Sequence, residues 1–316
     1  MIKKTASEIC STYSVKQSYL GYRKQKIKYS LYKKLTRSAL PLFTKGGDII
    51  SIPPLANGVY EPEITALINH FSASNFSDFF IDIGANIGLS SCQCGFQFGE
   101  VHMFEPNPDC VSILKVNAKI ALRSMPYVIN EFGLGSKKEN LKLYVPYDNW
   151  GGAFIKSADN EYNQNLLSEK DGYGEFNEKN YQILDVQVES AVDKLQALFD
   201  DLARRGKSKG VIKIDVEGYE NLVLDAITQT IPDHFEVCVV FENWASNTAV
   251  PKLTINSAGR ISFYKLSENK TTFTWAPRWL NSLHAFLKGG FSLNLKPVQN
   301  ELNAGTYILA IQPTLS

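Results

Sequence analysis

The chain has 316 residues, 44% hydrophobic and 21% charged, which is enough for one large globular domain with a buried core. Its net charge of +1 gives no indication of a nucleic-acid partner. No apolar run reaches the roughly 18 residues of a membrane span, and Met1–Lys4 precedes no apolar signal region, so we expect a cytoplasmic protein.

The cysteines are odd in number and scattered, which argues against a disulfide framework. They are Cys10, Cys92, Cys94, Cys110 and Cys238. Cys92 and Cys94 are too close together, without a second pair, to indicate a zinc site. We therefore expect free, buried thiols in a reducing cytoplasm.

The first fifty residues are basic and differ from the rest of the chain. No acidic residue lies between Glu8 and Asp48, and Lys and Arg are frequent over residues 16–37. Apolar residues recur there at every fourth position, as in an amphipathic helix: Ile27, Leu31 and Leu35. The sequence thus predicts a basic helical extension over residues 1–50 and one domain over 51–316.

Two interpretations of this helix remain open. In the simpler and favoured interpretation, the apolar stripe of the helix packs on the main domain. In the other, residues 16–37 contact an anionic membrane surface or an acidic glycan, so the protein would lie peripherally at the inner face of the membrane.

The first strong signal in the main domain is a strand, a glycine loop and a helix. Phe79–Ile83 is an apolar run rich in aromatic and β-branched residues, which is typical of a buried strand. Gly84 and Gly88 follow Asp82, and the next residues continue as a helix. This is the opening unit of a nucleotide-binding α/β sheet. Its Asp-x-Gly-x-x-x-Gly spacing differs from the Gly-x-Gly-x-x-Gly of dinucleotide enzymes.

Strand and helix signals alternate regularly after this unit, as in a mostly parallel sheet covered on both faces. The further predicted core strands are 101–105, 127–131, 211–215 and 235–241, with a late pair at 261–266 and 306–311 and an extra exposed arm at 141–147. A helical segment is predicted over 188–203. Residues 156–180 are rich in polar residues and glycine, which predicts an insertion that leaves the core.

Four carboxylates stand at the predicted carboxyl ends of different strands: Asp82, Glu105, Asp215 and Glu242. Ligands of open α/β sheets bind at this edge, although any one of the four could instead be a solvated loop residue or a helix cap. Glu105 follows Asp82 at a spacing typical of a carboxylate that binds a ribose diol, which disfavours NADP. Acidic neighbours also favour a cationic ligand such as S-adenosylmethionine (SAM).

Three motifs resemble the FkbM-type SAM-dependent methyltransferases. They are Phe80-Ile-Asp-Ile-Gly-Ala-Asn-Ile-Gly88, Phe104-Glu-Pro-Asn-Pro108 and Ile212-Lys-Ile-Asp-Val-Glu-Gly-Tyr-Glu220. The resemblance implies a class I methyltransferase fold, an α/β Rossmann-like sheet of seven strands in the order 3-2-1-4-5-7-6 with the last strand antiparallel. It also implies SAM as cofactor and a hydroxyl of a sugar or glycan as the methyl acceptor, as in polysaccharide biosynthesis.

The resemblance also implies roles for individual residues. Gly84, Asn86 and Gly88 would line the methionine side of the cofactor, and Asp82 belongs to the same loop. Glu105 would bind the ribose hydroxyls. Gly133 and Glu131 would lie near adenine, and Asp215 would face the methionine moiety or the reacting methyl.

Methyl transfer to a hydroxyl benefits from a base near the acceptor oxygen. Glu217, in the glycine turn after Asp215, is the first candidate, and an equally weighted alternative is that it only holds that turn. Asp215, Glu217 and Glu242 could instead hold Mg²⁺ or Ca²⁺, a minority interpretation. On the acceptor side we expect Glu242, Asn243 and Trp244.

Two other classes of function compete with a methyltransferase. An NAD-dependent oxidoreductase shares the strand, loop and ribose carboxylate but needs a different glycine spacing. A non-catalytic SAM- or glycan-binding module would keep the fold without the reaction, and the presence of Asp82, Glu105 and Asp215 argues against it.

Overall fold

The computed structural model describes residues 19–37, 39–160, 176–243, 248–249, 260–269, 280, 292–298 and 301–314. Its helices are α1 (Tyr19–Leu35), α2 (Ile52–Asn57), α3 (Pro62–Ala73), α4 (Leu89–Cys94), α5 (Pro108–Ala121), α6 (Ala191–Arg204) and α7 (Glu220–Thr230). Its strands are β1 (Phe79–Ile83), β2 (Val101–Phe104), β3 (Tyr127–Asn130), β4 (Gly133–Gly135), β5 (Glu139–Pro146), β6 (Phe154–Ile155), β7 (Tyr181–Ser190), β8 (Lys209–Ile214), β9 (Glu236–Asn243), β10 (Thr248–Ala249), β11 (Ile261–Asn269), β12 (Ser292–Val298), β13 (Glu301–Leu302) and β14 (Gly305–Ile311).

The main sheet confirms the predicted α/β fold class. Its strand order is β12-β11-β14-β9-β8-β1-β2-β3, and β14 runs antiparallel to both of its neighbours. The stretch from β3 to β11 reproduces the expected 3-2-1-4-5-7-6 order. The expected count of seven strands was too low, because β12 pairs antiparallel with β11 and adds an eighth strand at the edge.

Helices cover both faces of this sheet because its central strands are apolar on both sides. One cluster joins alternate residues of β1 and β8 to α6 and α7, with Phe199 and Ile227 fully buried. The other joins the opposite residues to α3 and α5, with Ile68 and Leu114 fully buried. Each such side chain contributes roughly 1.5–3 kcal/mol by leaving water, so the cores fix where the strands end.

A second sheet lies beside the carboxyl end of the first. Its order is β4-β7-β5-β6, and β5 pairs with β7 over eight residues from Glu139 to Pro146. For this sheet the sequence predicted only an extra exposed strand at 141–147. It also predicted that a helix begins at Val188. That start was wrong, since β7 continues to Ser190, whose side chain accepts a hydrogen bond from Asp193 N at 3.3 Å and caps α6.

The apolar stripe of the basic helix α1 does not pack on the main domain, which was the favoured interpretation of the sequence. Ile27 is 67% exposed and Leu31 is 56% exposed, so the predicted apolar stripe faces solvent along this part of the helix. The intervening Tyr29 is also exposed. Hydrophobic periodicity therefore identified the helix correctly but not its surroundings. Residues 1–18 and the middle of the polar insertion, 161–175, lie outside the described residues.

The cysteines within the described part of the chain are free and buried, as predicted: Cys92, Cys94, Cys110 and Cys238. Cys10 lies outside that part. No helix among the described residues is long and apolar enough to cross a membrane.

Candidate active site

A cavity opens at the carboxyl ends of β1, β2, β8 and β9, the edge where the sequence placed four carboxylates. The cavity has a volume of about 230 Å³. Six carboxylates and one lysine are among its lining residues: Glu61, Asp82, Glu105, Asp215, Glu217, Glu242 and Lys213. The excess of negative charge in a partly buried site favours a cationic ligand.

Asp82 ends β1 at the floor of the cavity and is completely buried. Its Oδ2 accepts a hydrogen bond from Ser91 Oγ at 2.5 Å, while Oδ1 is buried without a hydrogen-bond partner. Burial raises the pKa of this carboxyl, although Lys213 and the Ser91 hydroxyl oppose the rise. An unsatisfied buried carboxylate oxygen is costly, so this position favours a donor or cation from outside the chain.

Gly84 lets the loops after β1 and β8 approach each other closely. Its φ is +85°, and a Cβ there would lie 2.0 Å from the backbone oxygen of Asp215. Only glycine fits both the conformation and the space. The contact brings Asp82 and Asp215 to the same wall of the cavity, as the strand-end argument predicted.

Glu105 follows β2 and is held by the backbone of two neighbouring turns. Asn86 N donates to Oε2 and Asn107 N donates to Oε1, each at 2.8 Å. Burial raises the pKa of Glu105 to about 7, and the two backbone hydrogen bonds limit the rise. Each oxygen keeps a further lone pair, so this fixed carboxylate can accept hydrogen bonds from a vicinal diol.

Asp215, after β8, is paired with a buried lysine from the same strand. Lys213 Nζ lies 2.5 Å from Asp215 Oδ2 and 3.7 Å from Glu61 Oε2. Burial alone would lower the pKa of Lys213, but the carboxylates of Asp215, Glu61 and Asp82 outweigh burial and raise it well above its ordinary value. The lysine is therefore a permanent cation that offsets part of the cavity's negative charge.

The segment before α3 supplies two residues that the sequence analysis missed, Tyr60 and Glu61. Both line the cavity. Glu61 Oε2 is buried and accepts no hydrogen bond, and burial raises the pKa of this carboxyl to about 7. Burial also raises the pKa of the Tyr60 hydroxyl. Lys213 was missed too, although a lysine inside an apolar strand was a visible signal of a buried partner.

The loop around Trp150 forms the opposite wall and is tied to both the N-terminal segment and the glycine loop. Trp150 N donates to Asp48 Oδ2 at 3.1 Å, and Asn86 Nδ2 donates to Trp150 O at 3.0 Å. Lys45 Nζ stands 4.9 Å from the Trp150 ring centre. These contacts place an indole side chain against the acidic cavity.

Glu217 lines the cavity from the turn between β8 and α7. Its carbonyl accepts a hydrogen bond from Asn160 Nδ2 at 2.8 Å, and the next residue, Gly218, has φ +86°. A Cβ on Gly218 would lie 2.0 Å from Asn160 Oδ1. The polar stretch that begins at residue 156 thus holds this turn against the second sheet.

Three residues expected at the site are not among those that line the cavity. Gly88 is the N-cap residue of α4, with φ +84°, and a Cβ there would meet the Leu114 side chain at 2.5 Å. Glu131 is 55% exposed and pairs with Lys115 at 2.6 Å. Asn243 is buried, and its Nδ2 donates to Leu302 O at 3.4 Å. Trp244 lies outside the described residues.

Of the predicted cofactor and acceptor residues, those that do line the cavity are Asp82, Gly84, Asn86, Glu105, Gly133, Asp215 and Glu242. Among the residues that the structure describes, no group of three or more His, Cys, Asp or Glu side chains is arranged to hold a metal ion. The minority interpretation of Asp215, Glu217 and Glu242 as a metal site therefore gains no support from their placement.

The residues present fit SAM. Two buried carboxylate oxygens without hydrogen-bond partners, Asp82 Oδ1 and Glu61 Oε2, belong to residues that line a cavity in which carboxylates outnumber lysine. A ligand that carries an ammonium and a sulfonium would offset this charge. Glu105 offers paired acceptors for a ribose diol, and the Phe132 ring beside Gly133 offers an apolar wall for a base.

Residues 82–253, more than half of the chain, match the family described as the methyltransferase FkbM domain. A comparison with curated proteins found no match. Among solved structures, an O-methyltransferase from Bacillus cereus in complex with SAH is 10% identical, with coverage of 97% of this chain and 96% of that chain and a TM-score of 0.39.

The O-methyltransferase TomG from Streptomyces achromogenes, in complex with SAM, is 11% identical and covers 97% of this chain and 95% of its own, with a TM-score of 0.37. A putative O-methyltransferase from Klebsiella pneumoniae is 10% identical, with coverage of 98% and 95% and a TM-score of 0.37. Sequence identities and TM-scores this low support no conclusion about this chain. Conclusions about its chemistry rest on the family match and on the cavity.

Proposed function

The chain belongs to the FkbM family of SAM-dependent methyltransferases, and from this premise we propose that it methylates a hydroxyl oxygen of a sugar or glycan. The observation that carries the proposal is the acidic cavity itself. Its carboxylates suit the cationic cofactor on one side and can accept hydrogen bonds from a polyhydroxylated acceptor on the other.

The cofactor side lies along β1 and β2. We propose that Asp82 attracts the cationic methionine portion, that Gly84 and Asn86 shape the loop around it, and that Glu105 accepts both ribose hydroxyls. Gly133 would border the adenine. Bound SAM supplies an activated methyl group on a good leaving group, so the protein has mainly to align the acceptor and exclude water.

The acceptor side lies toward β8 and β9, where Asp215, Glu217 and Glu242 line the cavity. Carboxylates there would orient sugar hydroxyls, and the Trp150 ring on the facing wall offers a surface on which a pyranose face stacks. We also propose Asn243 and Trp244, which follow Glu242 in the sequence, as acceptor-side residues. One carboxylate of the cavity must also take the hydroxyl proton, and Glu217 is one candidate that the sequence offers for this role.

Transfer of a radiolabelled methyl tests this function directly. Wild-type protein is incubated with methyl-tritiated SAM and glycans extracted from the producing cell, and labelled products are mapped by mass spectrometry. We expect one added methyl per modified residue, on a sugar oxygen. Label found only on nitrogen, or only in protein, would contradict the proposed acceptor class.

We also propose that α1 contacts an anionic membrane surface. Exposed Ile27, Tyr29 and Leu31 alternate with exposed lysines on this helix, including Lys28 and Lys33, the composition of an interfacial helix. Co-sedimentation with vesicles tests the proposal. Wild type should bind vesicles that contain phosphatidylserine and a double Ile27→Ser, Leu31→Ser variant should bind less. Equal binding by both proteins would dismiss the contact.

A further inference from the structure

Glu61 lines the cavity and has a strained backbone. It occupies the left-handed region, with φ 43° and ψ 68°, immediately before Pro62 begins α3. This conformation is unfavourable for a residue with a side chain and costs about 1–3 kcal/mol. Such strain persists where the fold holds a side chain in place, and here it directs a glutamate to the cavity lining.

The charges that face Glu61 place it on the acceptor side. Lys213, Asp215 and Glu242 act on it electrostatically, and all three belong to the ends of β8 and β9. Glu105, the proposed ribose ligand, lies at the end of β2. Glu61 is thus adjacent to the part of the cavity where we place the reacting hydroxyl.

The Oε2 atom of Glu61 is also available as an acceptor. It is buried and receives no hydrogen bond, and its ion-pair contact with Lys213 Nζ is long, at 3.7 Å. Asp215, in contrast, has its Oδ2 within 2.5 Å of the same ammonium. The ammonium of Lys213 therefore occupies Asp215 Oδ2 and leaves Glu61 Oε2 accessible to a donor from the acceptor.

We propose that Glu61 is the general base that takes the proton from the acceptor hydroxyl, while Lys213 pairs with Asp215. This inference rests on the proposed function. Glu217 then contributes to the acceptor wall rather than to proton transfer.

The acceptor oxygen forms a bond to the methyl carbon while the bond between that carbon and sulfur breaks, and the sulfur keeps the electron pair and becomes a neutral thioether. The hydroxyl proton moves to Glu61 Oε2, which leaves a neutral methyl ether. The proton must return to solvent before the next turnover, and 28% of the Glu61 side chain is exposed although Oε2 itself is buried.

The acid strength of Glu61 suits this role. Burial raises its pKa to about 7, Asp215 and Glu242 add to the rise, and Lys213 and the Tyr60 hydroxyl oppose it. A base with a pKa near the working pH is ionised for much of the time yet strong enough to accept a proton in the transition state. Turnover should therefore fall as the pH drops below about 7.

The test compares Glu61→Gln with Glu217→Gln, and uses Glu63→Gln as a matched control because Glu63 is an exposed glutamate in the first turn of α3. Methyl-tritiated SAM is the donor, and methyl glycosides of hexoses and deoxyhexoses, together with the cell's glycans, are the acceptors. Rates are measured from about pH 5 to about pH 9, SAM affinity is measured by calorimetry, and glutamate carboxyl titrations are followed by ¹³C NMR.

At saturating SAM we expect Glu61→Gln to lower kcat by about 100-fold or more and to abolish the acid limb of kcat, while the SAM Kd changes by less than about 3-fold. The NMR titration near pH 7 assigned to Glu61 should be absent from the variant. Glu63→Gln should behave as wild type. If Glu61→Gln does not fold, Glu61→Asp keeps a carboxylate and should show a lower kcat with the acid limb retained.

The two proposals fail in different ways. Wild-type transfer that persists in Glu61→Gln, or a larger loss in Glu217→Gln, overturns the role of Glu61 and leaves the methyltransferase intact. A folded Glu61→Asp without an acid limb also overturns it. Failure of the wild type to label any hydroxyl compound overturns the proposed function.

Discussion

The two ends of strand β2 carry buried glutamates in opposite electrostatic settings. Glu100, at the amino end, lies 2.6 Å from Arg205 Nη1 and 3.2 Å from Lys207 Nζ. Burial alone would raise its pKa, but these cations and His102 lower it. Glu105, at the carboxyl end, accepts hydrogen bonds from backbone N–H groups, and burial raises its pKa to about 7.

This difference separates stability from function along one strand. At the amino end, Arg205 and Lys207 both lie within 3.2 Å of the buried Glu100 carboxylate, so its charge is balanced without a ligand. At the carboxyl end, six carboxylates and one lysine are among the residues that line the cavity, so negative charge is in excess. Such an arrangement costs folding free energy that a bound cation would offset. We therefore expect substitutions at the two ends to affect different measurements.

The largest effect should come from a glycine at the carboxyl end. Gly84→Ala places a Cβ against the Asp215 backbone at φ +85° and should lower the free energy of unfolding by at least about 3 kcal/mol. Gly206→Ala, near the amino end, has φ +71° but open space around it, and should cost only about 1 kcal/mol. Urea denaturation measures both. Equal losses would contradict the close approach of the two loops.

The aspartates at the ends of β1 offer the next comparison. Asp82→Asn removes the buried charge at the cavity floor and should raise the SAM Kd by about 100-fold while the protein stays folded. Asp78→Asn acts at the amino end, where Asp78 Oδ2 accepts from Ser208 N and Lys209 N, each at 2.9 Å. It should cost about 1 kcal/mol of stability and leave SAM binding unchanged. Calorimetry measures both affinities. Equal SAM binding by the two variants would contradict the role of Asp82 in the cofactor site.

Removal of the paired glutamate should act on stability alone. Glu100→Gln leaves Arg205 and Lys207 without their buried partner, but both are partly exposed, so we expect a loss of about 1–3 kcal/mol. Because the pKa of Glu100 is lowered on folding, its stabilising contribution is present above 4.5 and is lost as the pH falls further. Thermal unfolding of wild type and variant at several pH values measures this contribution to stability. A change in SAM affinity in Glu100→Gln would contradict the separation of the two ends.

The smallest effect is the pH dependence of cofactor binding. The pKa of Glu105 is raised to about 7, so it is a carboxylate above that pH and becomes protonated below it. A protonated Glu105 accepts the ribose diol less well, and the SAM Kd should increase by about 10-fold per pH unit below 7. Calorimetry at a series of pH values measures this slope. An affinity independent of pH would remove Glu105 from the binding site.

The carboxylates at strand ends were predictable from the sequence, but the segments that cover them were not. Asp82 is the penultimate residue of an apolar strand, and Glu105 and Asp215 each follow one directly. The parallel sheet brings such positions to one edge. Glu61 and Trp150 reach the same cavity through long-range contacts of loops, and no local pattern encodes those contacts. The strand β12 was missed for a similar reason, since it is stabilised by pairing with β11 at a distance.

Periodicity also failed where the burial of a segment depends on a distant surface. Ile27 and Leu31 have helical spacing in either environment, and the sequence does not say whether a partner surface lies beneath them. The main domain does not cover them, which is why the helix was predicted correctly and its packing was not.

Calorimetric titration of wild type and Asp82→Asn with SAM and with NAD tests the central claim, that the acidic cavity at the carboxyl end of the sheet holds a cationic cofactor. We predict that SAM binds to wild type at one site, binds far more weakly to Asp82→Asn, and that NAD binds to neither. Binding of NAD without SAM, or SAM binding that is unaffected by loss of the Asp82 charge, would contradict the account.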